Sequence, residues 1–409
     1  MKGIKEAVVV EAIRTPTGKS VTKGKEGKGA FSDLSAHYLI EAVVRGLIDR
    51  VRAKYPKFDP VEIEDCAVTC QSPIGEQAMI GRMAVLVSDL PEEISGWALT
   101  NTTGLKAINT MAHAIMAGDG DIMIAAGLEH MSRYPLMSVL ESAIKGGYPM
   151  SAHPNFERRG GFVMPGTAAE VISDQYGLDR EQMDRFGLWS HQKAVKAMRD
   201  EGYSKRVVPV TVARNGTAHM VDKDEPPRTI ALDDPQAAWE QMQQLEPRFK
   251  EGGQVTAGSA STVADGAAAV MLMSKEKAKK LGIEPMVTIR STASAGGDPF
   301  FQFLAPMPAM KKAMNRAGVK MSDIDVIEFH ETFAAPVLAY CKEFDIAFDD
   351  PRINPTGGAI AIGNPTGCSG TLFFTEMVHW MVQNDLRYGL IEVAGVQGVG
   401  IATVVEREK

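Results

Sequence analysis

Asn354-Pro355-Thr356-Gly357-Gly358-Ala359-Ile360-Ala361-Ile362-Gly363-Asn364-Pro365-Thr366-Gly367-Cys368-Ser369-Gly370 is the stretch from which the rest of the chain is read. Asn364 stands in its middle. An amide donates and accepts hydrogen bonds, but it cannot serve as a general base near neutral pH. Cys368, a little further on, reads as a core residue, and the stretch runs into an apolar segment with the spacing of a long helix, Thr371 to Gln383.

At 409 residues the chain is too long for one ordinary core and suits two or three packed domains. Charged residues make up 23% and hydrophobic ones 44%, with a formal net charge of -7. That balance describes a globular protein without an overall basic field, so neither nucleic acid nor a membrane is expected as a partner. The four cysteines, Cys66, Cys70, Cys341 and Cys368, are few and scattered, which argues against a disulfide framework and for a reducing compartment. Cys66 and Cys70 have no second pair near them, and no metal is expected. Met1-Lys2-Gly3-Ile4-Lys5-Glu6 leads straight into an apolar strand without the core of a signal peptide. No apolar run approaches the ~20 residues that cross a bilayer, and Glu406-Arg407-Glu408-Lys409 is not a peroxisomal address. The expected location is the cytoplasm.

Outward from the opening stretch, the chain alternates strand and helix signals. Val8 to Ile13 reads as a buried strand and Leu34 to Val51 as a helix; Met111 to Ala117 and Asp121 to Gly127 repeat that alternation. This is the order of a parallel sheet with crossover helices. From about Ser132 to Lys250 the texture changes to Met, Pro, Gly and charge, with helices near Thr167 to Tyr176 and Arg180 to Glu201. The alternation resumes at Val255, with strands at Ala267–Met273, Val326–Phe329, Gly389–Val396 and Gly400–Val405, and helices at Pro308–Ala317 and Pro336–Phe344. The division expected is residues 1–131 with 251–275 as one half, 132–250 as an insertion, and 276–409 as a second half.

The opening stretch resembles the thiolase signature N-x-x-G-G-x-I-A-x-G-H-P-x-G-x-S-G. Further segments are similar to the same family in the same order: Glu11 to Gly18, Gly127 to Ser132, Ser190-His191-Gln192-Lys193-Ala194, and Thr256 to Ala269. The resemblance implies an α/β thiolase fold, five-layered αβαβα from two duplicated halves. It also implies an inserted loop domain that binds coenzyme A, a substrate that is an acyl-CoA thioester, and a homodimer or homotetramer. His191, taken alone, reads as a solvated helix residue. The loop Gly258-Ser259-Ala260-Ser261 brings backbone close to a ligand, which suits a pantetheine chain. By the family match Gly258, Ala260, Ser261 and Met164 are the expected cofactor-binding residues.

The family's reactive groups are not where its pattern has them. A thiolase needs a cysteine at a helix N-terminus, where a low thiolate pKa makes it the acyl acceptor. Anchoring Gly104-Leu105 on the pattern C-x-S-G-L-x-A puts Asn101 at that position, in a segment whose span back to Leu90-Pro91 is short. Counting back from Gly398-Val399-Gly400 puts Ala394 at the second cysteine, and Asn364 stands at the histidine. His330-Glu331-Thr332-Phe333 matches the family's N-E-x-F or H-E-x-F element and offers the one strong base, His330. The expected catalytic set is therefore His330, Glu331, Asn364 and Asn101, the amides polarising a thioester oxygen.

From this set the expected activity is non-covalent carbon–carbon chemistry on acyl-CoA, retro-aldol or related, with His330 as base. A separate zinc-ribbon partner would accompany such an enzyme, whereas an active thiolase partner would accompany a non-catalytic subunit. Two alternatives stand beside it: an acetyl-CoA C-acyltransferase, and a catalytically inactive CoA-binding or structural subunit of a thiolase complex.

Overall fold

A computed structural model describes residues 4–20, 29–135, 138, 153–214 and 216–408. The opening Met1-Lys2-Gly3, residues 136–137 and 139–152 of the expected insertion, and Lys409 lie outside them. In chain order the main elements begin with β1 (Ala7–Arg14), α1 (Ala36–Lys54), β2 (Asp65–Thr69), α2 (Ile80–Val87), β3 (Ser95–Leu99), α3 (Gly104–Ala117) and β4 (Ile122–His130). Next come α4 (Pro165–Tyr176), α5 (Arg180–Met198) and the two-stranded β5 (Val210–Arg214) and β6 (Thr217–Val221). The remainder is β7 (Ala264–Ser274), β8 (Val287–Gly296), α6 (Pro306–Ala317), β9 (Val326–Glu328), α7 (Ala334–Phe344), α8 (Ser369–Gln383), β10 (Tyr388–Gly395) and β11 (Val399–Glu406).

The strand order shows a duplication. In the first half β1 is antiparallel to β7, β7 is antiparallel to β4, and β4 is parallel to β2, which is parallel to β3. In the second half β8 is antiparallel to β11, β11 is antiparallel to β10, and β10 is parallel to β9. The halves meet where Val8 and Val9 of β1 pair with Thr288 and Val287 of β8. The sheet is thus mixed; the expected parallel order holds only for β4–β2–β3 and β9–β10, because β7 and β11 return antiparallel into their halves.

Side-chain alternation along the strands builds the layers, since successive residues point to opposite faces. Ile122, Ile124, Ala126 and Leu128 of β4 bury with α1 and α2 residues such as Leu39, Val43, Leu47 and Ala84. Met123 and Ala125 bury on the other face with Leu105, Ile108 and Met111 of α3 and Leu372, Phe373 and Met377 of α8. Ile391, Val393 and Ile401 of the second half close that same middle layer. Leu390, Ala394, Ala402 and Val404 turn outward to Met310, Ala313, Val337 and Leu338 of α6 and α7. The sequence of layers is αβαβα, with α3 and α8 at its centre.

Close approach at the centre is made by glycine. A Cβ on Gly104 would stand 2.4 Å from Thr371 N, and one on Gly370 would stand 2.1 Å from Leu105 N. The N-termini of α3 and α8 are therefore in contact, which brings the segments leading into them to one place.

A buried ionic network ties the halves to the intervening segment. Arg14 donates to Asp224 at 2.7 and 2.9 Å and to Glu376 at 2.7 Å, and Arg206 meets Glu376 at 2.8 Å. Two arginines beside it hold the Glu376 carboxyl down at about 2 against the effect of burial. His191, expected to be solvated, is instead buried; burial lowers its pKa to about 3, and its Nδ1 accepts the Arg228 N–H at 3.2 Å.

Candidate active site

Four loops converge where α3 and α8 begin. After β3 the chain bends through Asn101, whose φ of 53° is a left-handed value that asparagine tolerates. Thr103 caps α3 without a side-chain hydrogen bond, and of the first-turn amides the Lys106 N–H is taken by the Thr103 carbonyl at 2.9 Å. A Cβ on Gly395 would lie 3.8 Å from the Asn101 carbonyl oxygen, which brings the end of β10, including Ala394, beside this bend.

His330 follows β9 and is buried. Its Nε2 stands 3.1 Å from Asn364 Oδ1, and the Thr332 hydroxyl stands 3.3 Å from Nδ1. Ser369 Oγ donates to the same Asn364 oxygen at 2.6 Å, and Asn364 Nδ2 donates to Ser261 Oγ at 3.2 Å. This network fits a neutral imidazole with its proton on Nε2. Burial lowers the His330 pKa to about 4, opposed by the Asn364 and Ala394 carbonyls that the ring reaches. The base expected near ~6.5 is therefore a weak one, better suited to donating a hydrogen bond than to taking a proton.

Glu331 points away from this cluster. Its carboxylate accepts from Ser190 Oγ at 2.6 Å, Asn354 Nδ2 at 2.7 Å and Ile360 N at 3.2 Å. A Cβ on Gly358 would come within 2.2 Å of it. With those partners it braces the loop.

The expected cofactor residues divide in the same way. Ser261 is half-buried, touches Asn364, and donates its N–H to Thr332 O at 3.0 Å; Ala260 bridges to Phe333. Both border the His330 loop. Gly258 is buried against a neighbouring helix: a Cβ on Gly187 of α5 would stand 2.1 Å from its carbonyl oxygen. Its lack of a side chain serves packing there. Met164 is half-exposed at the start of α4, beside Gly166, which is covered by the Phe249 ring. Phe249 meets Phe333 edge-on at 5.5 Å, and that aromatic contact joins Met164's end of α4 to the His330 loop.

No thiol reaches this cluster in reactive form. All four cysteines are free and buried. Burial raises Cys66, Cys341 and Cys368 to about 12. Cys70, beside Glu129, is pushed higher still by burial and by that carboxylate. The site offers amide N–H donors and a helix N-terminus, groups that can donate hydrogen bonds to an oxygen.

Sequence reasoning missed several neighbours. Thr102 and Thr103, at the α3 N-terminus, are buried with hydroxyls that have no partner. Glu392 accepts the His330 N–H at 2.8 Å, and Asn354 accepts the Phe329 N–H at 2.7 Å. The signal for Glu392 was available: a single carboxylate within the apolar run Gly389 to Ala394.

The two-half αβαβα architecture, with the central helix N-termini in contact, is the thiolase fold. Residues 7–276 match the family described as Thiolase, N-terminal domain, and residues 283–407 match Thiolase, C-terminal domain. The chain belongs to the thiolase family. It is 37% identical to the 3-ketoacyl-CoA thiolase of Idiomarina loihiensis, over 99% of this chain and 100% of that one. It is 35% identical to that of Vibrio vulnificus with the same coverage. The crystal structure of the Bacillus anthracis acetyl-CoA acetyltransferase superposes with a TM-score of 0.86 at 26% identity, over 99% of this chain and 100% of that chain. These relatives overturn the expectation of retro-aldol chemistry with His330 as base: full-length similarity runs to thiolases, and the low His330 pKa removes the base. Among the described residues no helix is long and apolar enough to cross a membrane.

Proposed function

We propose that the chain is a C-acyltransferase acting on CoA thioesters, of the 3-ketoacyl-CoA thiolase class, working as a cytoplasmic homo-oligomer. The observation that carries this reading is identity of 35–37% along the whole length to proteins named for that activity. In this chain Asn101 and Asn364 would reach the thioester oxygen, with Ser261, Ala260 and Met164 along the acyl-CoA path. His330, whose single N–H is given to Asn364 Oδ1, would hold that amide in place. With no thiolate in the cluster, a site hydroxyl or the incoming CoA thiol would add to the 3-keto carbon and the C2–C3 bond would break. The proton of that hydroxyl or thiol would pass to the C2 enolate, which leaves as acetyl-CoA; an ester formed on a hydroxyl would then be taken over by CoA.

Supplying acetoacetyl-CoA with CoA, and following acetyl-CoA formation together with intact protein mass, tests this. Thiolysis is expected. Turnover with an added acetyl mass marks a hydroxyl acceptor, and turnover without one marks direct transfer. A second reading, a subunit that binds acyl-CoA without turning it over, is favoured by one observation, the burial and raised pKa of every cysteine. Tight thioester binding with no acetyl-CoA formed would replace the first reading by the second.

A further inference from the structure

The parallel ladder between β9 and β10 stops at Glu328 paired with Ile391. Beyond it the chain turns toward the site, and its next two amides are taken by side chains: Phe329 N–H by Asn354 Oδ1 at 2.7 Å and His330 N–H by Glu392 Oε1 at 2.8 Å. Asn354 also returns a bond from Nδ2 to the Phe329 carbonyl at 2.9 Å. A buried N–H left without an acceptor is costly, so these two side chains decide where the loop sits.

Glu392 lies in β10 opposite Ala402 of β11, on the face that buries Leu390 and Ala394 against α6 and α7. It is 1% exposed, and its Oε2 has no partner. A carboxyl is an expensive way to fill an apolar strand position. Burial raises its pKa well above the ordinary carboxylate value, and its Oε1 is the atom that accepts the His330 N–H.

We propose that Glu392 is the positioning residue for His330: by accepting the His330 backbone N–H it sets the reach of the imidazole to Asn364. The inference rests on the reading of His330 and Asn364 as the thioester site. Because a carboxyl and an amide of the same length both place an oxygen acceptor at that position, Glu392→Gln preserves the bond, whereas Glu392→Leu keeps the bulk and removes the acceptor.

Crystal structures of the two variants, with acetyl-CoA and free CoA affinities by calorimetry, test it. In Glu392→Gln the His330–Asn364 contact and the preference for acetyl-CoA over CoA are expected to be unchanged. In Glu392→Leu the contact opens and the preference falls about tenfold or more, while binding of free CoA persists. A Leu variant that keeps both contact and preference, and loses only thermal stability, overturns the proposal, as does a Gln variant as impaired as Leu. If the Leu variant does not fold, Glu392→Asp, with the carboxyl withdrawn by one methylene, is read by the same two measurements. A wild-type protein with no preference for the thioester would sink the proposed function, and the contact in the variant structures would still decide the role of Glu392.

Discussion

His330 Nε2 and Asn364 Oδ1 stand 3.1 Å apart, both side chains buried, with Ser369 donating to the same oxygen at 2.6 Å. The amide orients the ring through its carbonyl while its own N–H₂ reaches toward Ser261. So joined, the imidazole N–H is spent on the amide oxygen, and the Asn364 N–H₂, with one hydrogen on Ser261, keeps a second hydrogen for an oxygen in the site. Neither side chain is a nucleophile.

Replacing Asn364 by Ala strips an acceptor from His330 and Ser369 together and a donor from Ser261. Buried groups left unpaired in this way cost roughly 1–3 kcal/mol each. Acetyl-CoA affinity measured by calorimetry is expected to fall by about tenfold or more, with free CoA affected less. Equal affinity for the two ligands before and after the change would remove Asn364 from the site.

Acid stability carries the signature of the buried imidazole. His330 binds its proton near 6.5 when unfolded and only at about 4 when folded. The unfolded chain holds more protons between those values, so stability is complete above pH 6.5 and drains as pH falls toward 4. By the pKa difference the full loss is about 3 kcal/mol. Because His191 and His379 are lowered in the same sense, the measurement is a comparison: urea denaturation of wild type and His330→Gln at about pH 7 and pH 5, on either side of the unfolded value. The variant should show the smaller loss on acidification, and an equal loss in both would rule the shift out.

The thiols are predicted to be inert. With all four cysteines buried and three of them at about 12, the native protein should react with a disulfide reagent at about pH 8 only as fast as it unfolds. A thiol that labels quickly and is protected by acetyl-CoA would place a cysteine nucleophile in the site after all.

Arg14 is the keystone of the core network. Arg14→Ala leaves Asp224 and Glu376 facing each other's field with one cation fewer, and losing one partner of a buried ion pair typically costs about 3–5 kcal/mol. Chemical denaturation should show that drop. A change below about 1 kcal/mol, the range of exposed pairs, would mean the network is solvated.

Much of the fold was legible because small-residue motifs and strand alternation are local. The helices from Pro308, Pro336 and Thr371 and the strands at both ends fall where periodicity put them, within a residue or two of α6, α7, α8, β1, β10 and β11. The antiparallel return of β7 and β11 was not legible, since a fully buried run such as Ala264–Ser274 reads alike in either direction. At the site, the motifs pointed to Asn101, His330, Asn364 and Ser261, which the folding of distant loops brings to one junction. Glu331 bonds to Ser190, Asn354 and Ile360 while its neighbour His330 bonds to Asn364, a division that the adjacent letters of the motif do not show. Glu392 escaped although a lone carboxylate in the apolar run Gly389 to Ala394 marked it, because the backbone amide it holds comes from another strand's end and no sequence pattern names that partner. His191 was misread because a helix's polar face gives no sign that another segment, here the chain at Arg228, will cover it.

The most direct test of the central claim, that this His330–Asn364–Asn101 site performs acyl transfer on CoA thioesters, is the rate of acetyl-CoA formation from acetoacetyl-CoA and CoA in wild type and in Asn364→Ala. The account predicts thiolysis by the wild type and a rate at least about tenfold lower in the variant, the loss expected of one missing oxygen-binding donor. No thiolysis by the wild type, or an undiminished rate in the variant, would contradict it.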